Sequence, residues 1–210
     1  MKKYQTVKKE VLSLEYNLKI FYVMLFGILA NFSFSQNPDA TSFASLEKLF
    51  KTSQYDSIMA LDKAQLIRNN NSKEGEILLM LAKTYENVNN EDKAFDYYKK
   101  SKDYYQDKNN KDKVAFLNSK IYFLLDSQNN LDIDKSPYLN DLKKHAFTTN
   151  SPKWKMTYYN LKGVDNFKPE TKDSAKIYFL KAKQNAMSID STKALFGLNM
   201  NLGALNLSYF

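Results

Sequence analysis

The chain has 210 residues, 43% of them hydrophobic, with 5 Gly, 4 Pro and no Cys. This composition supports a real core and long uninterrupted helices, and it argues against a turn-dense all-β fold. Lack of cysteine excludes disulfides, Cys-based zinc sites, a thiol nucleophile and a lipoprotein anchor on a Cys. Formal net charge is +8, to which residues 1–35 contribute five Lys and two Glu. Elsewhere the charges are interspersed, as in Lys93, Asp96, Lys99, Lys100 and Asp103. A nucleic-acid footprint needs a concentrated basic face, so nucleic acid is not an expected partner.

In chain order, residues 1–19 are polar and carry Lys2, Lys3, Lys8, Lys9 and Lys19, and an unbroken apolar run follows from Ile20 to Ala30. Small residues flank a large one at Ser33-Phe34-Ser35. This pattern reads as a secretory signal peptide over 1–35, cleaved before Gln36, with a periplasmic or secreted product. The apolar run is short for a bilayer span, which needs ~20 residues. An uncleaved inner-membrane anchor is the alternative, and contact with the membrane is expected only through this segment. Residues 36–41 form a polar leader.

From Ser42 onward the apolar spacing predicts helices over 42–51, 56–68, 73–87, 91–106 and 111–126. Ser136-Pro137 and Ser151-Pro152 each read as an N-cap followed by proline at the first helical position, starting helices near 137–148 and 152–163. Segments 171–187 and 191–209 complete a set of about nine helices with no convincing strand. Asn-Asn pairs at 70–71, 89–90, 109–110 and 129–130 punctuate the series at spacings of 19 to 20 residues. Asn tolerates the left-handed conformation that ends a helix, so evenly spaced pairs imply evenly long helices.

One helix pair carries a specific pattern: Leu78-x2-Leu81-Ala82-x2-Tyr85, then Ala94-x3-Tyr98. It resembles the tetratricopeptide repeat, with Leu78 in place of the Trp, Ala82 of the Gly and Tyr98 of the Phe. Gln106 stands where that repeat has Pro, and Ser101 replaces the usual small Ala. Weaker echoes occur at Ser57-x3-Leu61-x2-Ala64 and Ala175-x3-Phe179-x2-Ala182, while Asn118-Ser119-x2-Tyr122 keeps only the small residue and the Tyr. The resemblance implies an all-α, TPR-like α-solenoid over 42–210, with about 4–5 antiparallel helix pairs and the last one incomplete. It also implies a protein-binding scaffold whose first helices line a concave groove for a peptide or partner protein. The positions implied to face that groove are Glu76, Leu79, Lys83, Glu86 and Asn87, then Lys113, Phe116, Lys120 and Phe123. Most aromatics, among them Tyr98, Tyr105, Tyr122 and Phe179, are expected in helix packing.

No catalytic constellation is visible, and an enzyme is not expected. His145 is the single histidine, which rules out His-pair metal sites. It is expected at a helix end, facing solvent or the helix dipole. The five glycines form no phosphate-binding loop. Asp132-x-Asp134-x-Ser136 resembles the start of a calcium loop but has Pro137 where glycine is required, and reads as a solvated loop. No cofactor or metal is implied. The last helix, rich in Leu and Phe, presents an apolar face with no capping helix after it. That face suits either a longer protein or self-association. Exported arrays of this type resemble sensory front ends of membrane-bound bacterial regulators, so a truncated sensor without independent activity is the alternative reading.

Overall fold

The computed structural model describes residues 41–127 and 133–207, which are helical apart from their connections, with no strand among them. The expectations for residues 1–40, for Asn129-Asn130 and for Asp132 lie outside these residues. The described chain falls into two compact units, 41–71 and 72–207.

The first unit holds α1 (Phe43–Lys51), α2 (Tyr55–Ala60) and α3 (Lys63–Asn69). Ser42 caps α1 by accepting the Ser45 N–H. The single helix expected over 56–68 is instead two, because Leu61 is extended (φ −65°, ψ 146°) and Asp62 caps α3 through the Gln65 N–H at 3.0 Å. The break leaves Leu61 buried, as are Leu46, Ile58 and Leu66 of the same unit. Asn70 is not a left-handed helix stop (φ −135°). Its amide instead joins the two ends of the unit, donating to the carbonyls of Thr41 and Leu66 and accepting the Phe43 N–H.

The second unit contains α4 (Glu74–Asn87), α5 (Glu91–Asp107), α6 (Lys111–Ser127), α7 (Ser136–Thr148), α8 (Pro152–Asp165), α9 (Lys172–Met187) and α10 (Thr192–Leu207). Each helix packs on the next, and α6 also touches α8. Two Asn-Asn pairs make the turns on either side of α5. Asn89 and Asn109 are left-handed (φ 55° and 52°), and the following Asn90 and Asn110 N–H groups bond to Tyr85 and Tyr105 carbonyls at 2.9 Å. These are Schellman turns. The second Asn of each pair then caps the next helix, accepting the N–H of Lys93 or Lys113.

The proline starts are only half as expected. Ser151 occupies the N-cap position of α8 in extended conformation, with no side-chain cap. Ser136 lies inside α7, the N-cap position falls to Lys135 without a side-chain cap, and the Ser136 N–H donates to Asp134 at 2.9 Å.

Packing between α4 and α5 follows the small residues. Ala82 and Ala94 are fully buried, with Tyr85 and Tyr98 around them. Farther along, Tyr122, Leu142, Trp154 and Tyr158 join α6, α7 and α8 in one core. Ala175, Phe179, Ala182, Leu198 and Leu205 join α9 to α10 in another.

Candidate functional site

The residues expected to face a groove lie on α4 and α6. Two polar side chains of α4 are committed to structure. Glu86 accepts the hydroxyl of the buried Tyr98, and burial followed by this bond pushes the phenol pKa well up. Asn87 is exposed, and its amide donates to the Lys83 carbonyl one turn back at 2.8 Å.

Lys83 is half-buried, and burial pushes its pKa down. Lys120 from α6 pushes it further in the same direction, Glu86 opposes, and Lys113 adds to the lowering. Lys83 of α4 is thus within electrostatic reach of Lys120 and Lys113 of α6, and the neighbouring Glu86 carboxylate is bonded to Tyr98. The ion pairs among the described residues join Lys135 to Asp126 and Asp165, His145 to Asp112, and Lys162 to Asp165, and none uses Lys83, Lys113 or Lys120. Lys113 lies 5.4 Å over the Tyr105 ring. The Tyr105 hydroxyl is buried facing Glu76 without a hydrogen bond of ordinary geometry, and burial, then Glu76, raises its pKa.

The apolar members divide. Leu79 is buried and belongs to the core, since α4 buries a broad face including Ile77, Leu78, Leu81 and Ala82. Phe116 is half-buried against the core shared by α6, α7 and α8. Phe123 keeps 47% of its surface exposed.

Two clusters were not foreseen as units. Asp112 accepts both Trp154 Nε1–H at 2.8 Å and a His145 Nε2 contact at 2.9 Å, joining the first turn of α6 to α7 and α8. His145, then Trp154, holds the Asp112 carboxyl below its usual range. His145 is in the last turn of α7 as expected, but only 13% of its side chain is exposed, because Asp112 and the Trp154 ring cover it. The second cluster centres on Lys135, which bonds to Asp126 and, at 3.2 Å, to Asp165. Its signal in the sequence is slight, since the partners lie 9 and 30 residues away. No group of three or more acidic or His side chains placed to hold a metal occurs among the described residues. No helix among them is long and apolar enough to cross a membrane.

No family model matches the chain, and neither the curated proteins nor the solved structures contain a match to it.

Proposed function

We propose that the chain is a tetratricopeptide-like helical repeat module that holds a peptide or partner protein on the face shared by α4 and α6. Three features support the repeat reading. Consecutive helices pack in sequence order, α6 touches α8 two helices on, and the buried Ala82, Ala94, Tyr85 and Tyr98 occupy the repeat's small and aromatic positions. The observation that carries the binding role is the influence of Lys120 and Lys113 on the half-buried Lys83, which none of the ion pairs among the described residues neutralises. Glu76, Glu86 and Asn87 border this face, and Phe123 supplies an exposed ring for an apolar side chain of the ligand. The role is binding rather than catalysis. The basic start and apolar run of residues 1–35 support export to the periplasm or beyond.

Panning a displayed peptide library against the protein, then replacing Lys83, Asn87 and Lys120 by Ala together, tests the assignment. Capture should be lost while the helical circular dichroism is kept. Unchanged capture by the triple variant would remove the site from α4 and α6.

A second reading draws on α10, whose Phe196, Met200 and Leu207 are 70%, 60% and 78% exposed. In that reading the helix is covered by a second copy or by a following helix, as in the sensor region of a longer regulator. The coding DNA beyond the Phe210 codon distinguishes these occupants.

A further inference from the structure

One part of the second unit carries many cations and no carboxylate. No Asp or Glu lies in 142–164 or in 174–189, stretches that hold eight Lys and form the second half of α7, nearly all of α8 and most of α9. On α8, Lys155, Tyr159 and Lys162 recur at helical spacing, as do Tyr178, Lys181, Asn185 and Ser188 on α9, so each set shares one helix face. Members of both faces line an open cleft of about 400 Å³, formed by Lys155, Tyr159, Lys181, Gln184, Asn185 and Ser188. That size falls within the range of small-ligand sites.

The two lysines of the cleft are held in place without being neutralised. Lys155 Nζ lies 5.5 Å over the Phe147 ring and donates to the Asn150 carboxamide oxygen. Lys181 Nζ lies 5.6 Å over the Tyr159 ring and 6.0 Å over that of Tyr178, and these two rings stack at 6.3 Å. Ring faces and amide oxygens attract an ammonium group but bear no net charge, so they fix its position and leave its charge uncompensated. None of the ion pairs among the described residues uses Lys155 or Lys181, whereas Lys162 on the same face of α8 is paired with Asp165. Helix α9 ends at this cleft, where free carbonyls would repel an anion. Two of them are covered, Gln184 by the Ser188 N–H at 3.2 Å and Asn185 by the Ser188 hydroxyl at 2.8 Å.

We infer that this cleft binds a small oxyanion of charge −2, a dicarboxylate or a phosphate, held by Lys155 and Lys181. Two ammonium groups match two negative charges, and fixing them in advance lowers the ordering cost of binding. The inference concerns α8 and α9 and stands without the peptide face proposed on α4 and α6.

Succinate and inorganic phosphate are the probes, titrated into the ¹⁵N-labelled full chain at low salt and slightly alkaline pH. The Gln184 and Asn185 side-chain amide signals should shift saturably, with Kd on the order of 1 mM for the tighter probe, which identifies the kind of oxyanion. Butyrate, with a single charge, should bind about five-fold more weakly than succinate, and Lys155→Met or Lys181→Met should weaken the tighter probe by about the same factor, the upper value for an exposed ion pair. Lys181→Met carries the test if Lys155→Met does not fold. Lys100→Met is the control, because Lys100 of α5 also lies over a ring, that of Tyr97 at 5.2 Å, and its loss removes the same charge from outside the cleft. It should leave Kd unchanged. Unmoved Gln184 and Asn185 signals with both probes, equal binding of butyrate and succinate, or equal weakening by Lys100→Met and Lys181→Met would each overturn the inference.

Discussion

The Ser101 hydroxyl of α5 donates to the Gly75 carbonyl of α4 at 2.9 Å, with both residues buried. The repeat pattern expects only a small residue at position 101, yet this serine adds a specific bond across the helix pair. Ser101→Ala should therefore destabilise the second unit by about 1 kcal/mol, the usual net value of a buried neutral hydrogen bond. Urea unfolding monitored by circular dichroism would measure it, and an unchanged midpoint would reduce Ser101 to a space-filling role.

Glycines in this unit should respond in opposite directions to alanine. A Cβ on Gly75 would meet the Tyr104 and Tyr105 rings at 2.6 and 2.7 Å, and one on Gly163 would meet the Phe179 ring at 2.4 Å. Those rings are packed, so Gly75→Ala and Gly163→Ala should each cost about 1–3 kcal/mol by overpacking. Gly197 and Gly203 on α10 have nothing within 4 Å of the added atom. There the gain in helix propensity acts alone, and each alanine should stabilise by about 0.5–1 kcal/mol. Thermal unfolding of the four single variants checks the sign in each case.

The left-handed asparagines make a third set. At Asn89 and Asn109, Ala should cost about 1 kcal/mol for the positive φ, while Gly should be neutral or stabilising. At Asn90 and Asn110, either Ala or Leu should cost about 1 kcal/mol through the lost cap. Denaturant midpoints in which glycine at Asn89 or Asn109 costs as much as alanine there would contradict the left-handed stop, and unchanged midpoints for alanine at Asn90 and Asn110 would contradict the cap.

The Lys135 cluster sets a pH dependence. Burial disfavours the Asp165 charge, but hydrogen bonds from Lys162, Tyr122 and Lys135 outweigh it and hold the carboxyl below its usual pKa. A depressed folded-state pKa contributes stability above the unfolded value of ~3.9, lost as pH falls through the folded value. Burial also disfavours the Lys135 charge, and the bonds to Asp126 and Asp165 outweigh it, raising the pKa. That contribution is present below ~10.4 and lost as pH rises through the folded value. Lys135→Met should thus cost about 1 kcal/mol at neutral pH, discounted for partial exposure, and flatten both limbs of the stability profile. Urea midpoints at about pH 3, 7 and 11 would show it, and parallel profiles for the variant and the parent would contradict the cluster's role.

Helix positions were legible where a single residue type controls a boundary. The Asn pairs at 89–90 and 109–110 do so through their own backbone and side chains, independent of tertiary context. Where neighbours decide, local pattern misled. Asp62 interrupts an otherwise regular helical spacing because capping Gln65 also lets Leu61 turn inward. Ser136 looked like a cap, but Asp134 accepts its N–H. Leu79 looked outward because the repeat pattern assigns α4 one buried stripe, whereas this helix buries a broad face. Asp112–His145–Trp154 and Lys135–Asp165 were not legible, because they join residues 30 to 42 positions apart with no shared spacing.

Calorimetric affinity for a peptide selected on the parent protein, compared with its affinity for Lys83→Ala/Lys120→Ala, bears most directly on the proposed binding face. A loss of about ten-fold or more, equal to about 1.4 kcal/mol, is expected with the thermal midpoint unchanged. Equal affinity for the folded double variant would contradict the assignment of the groove to α4 and α6.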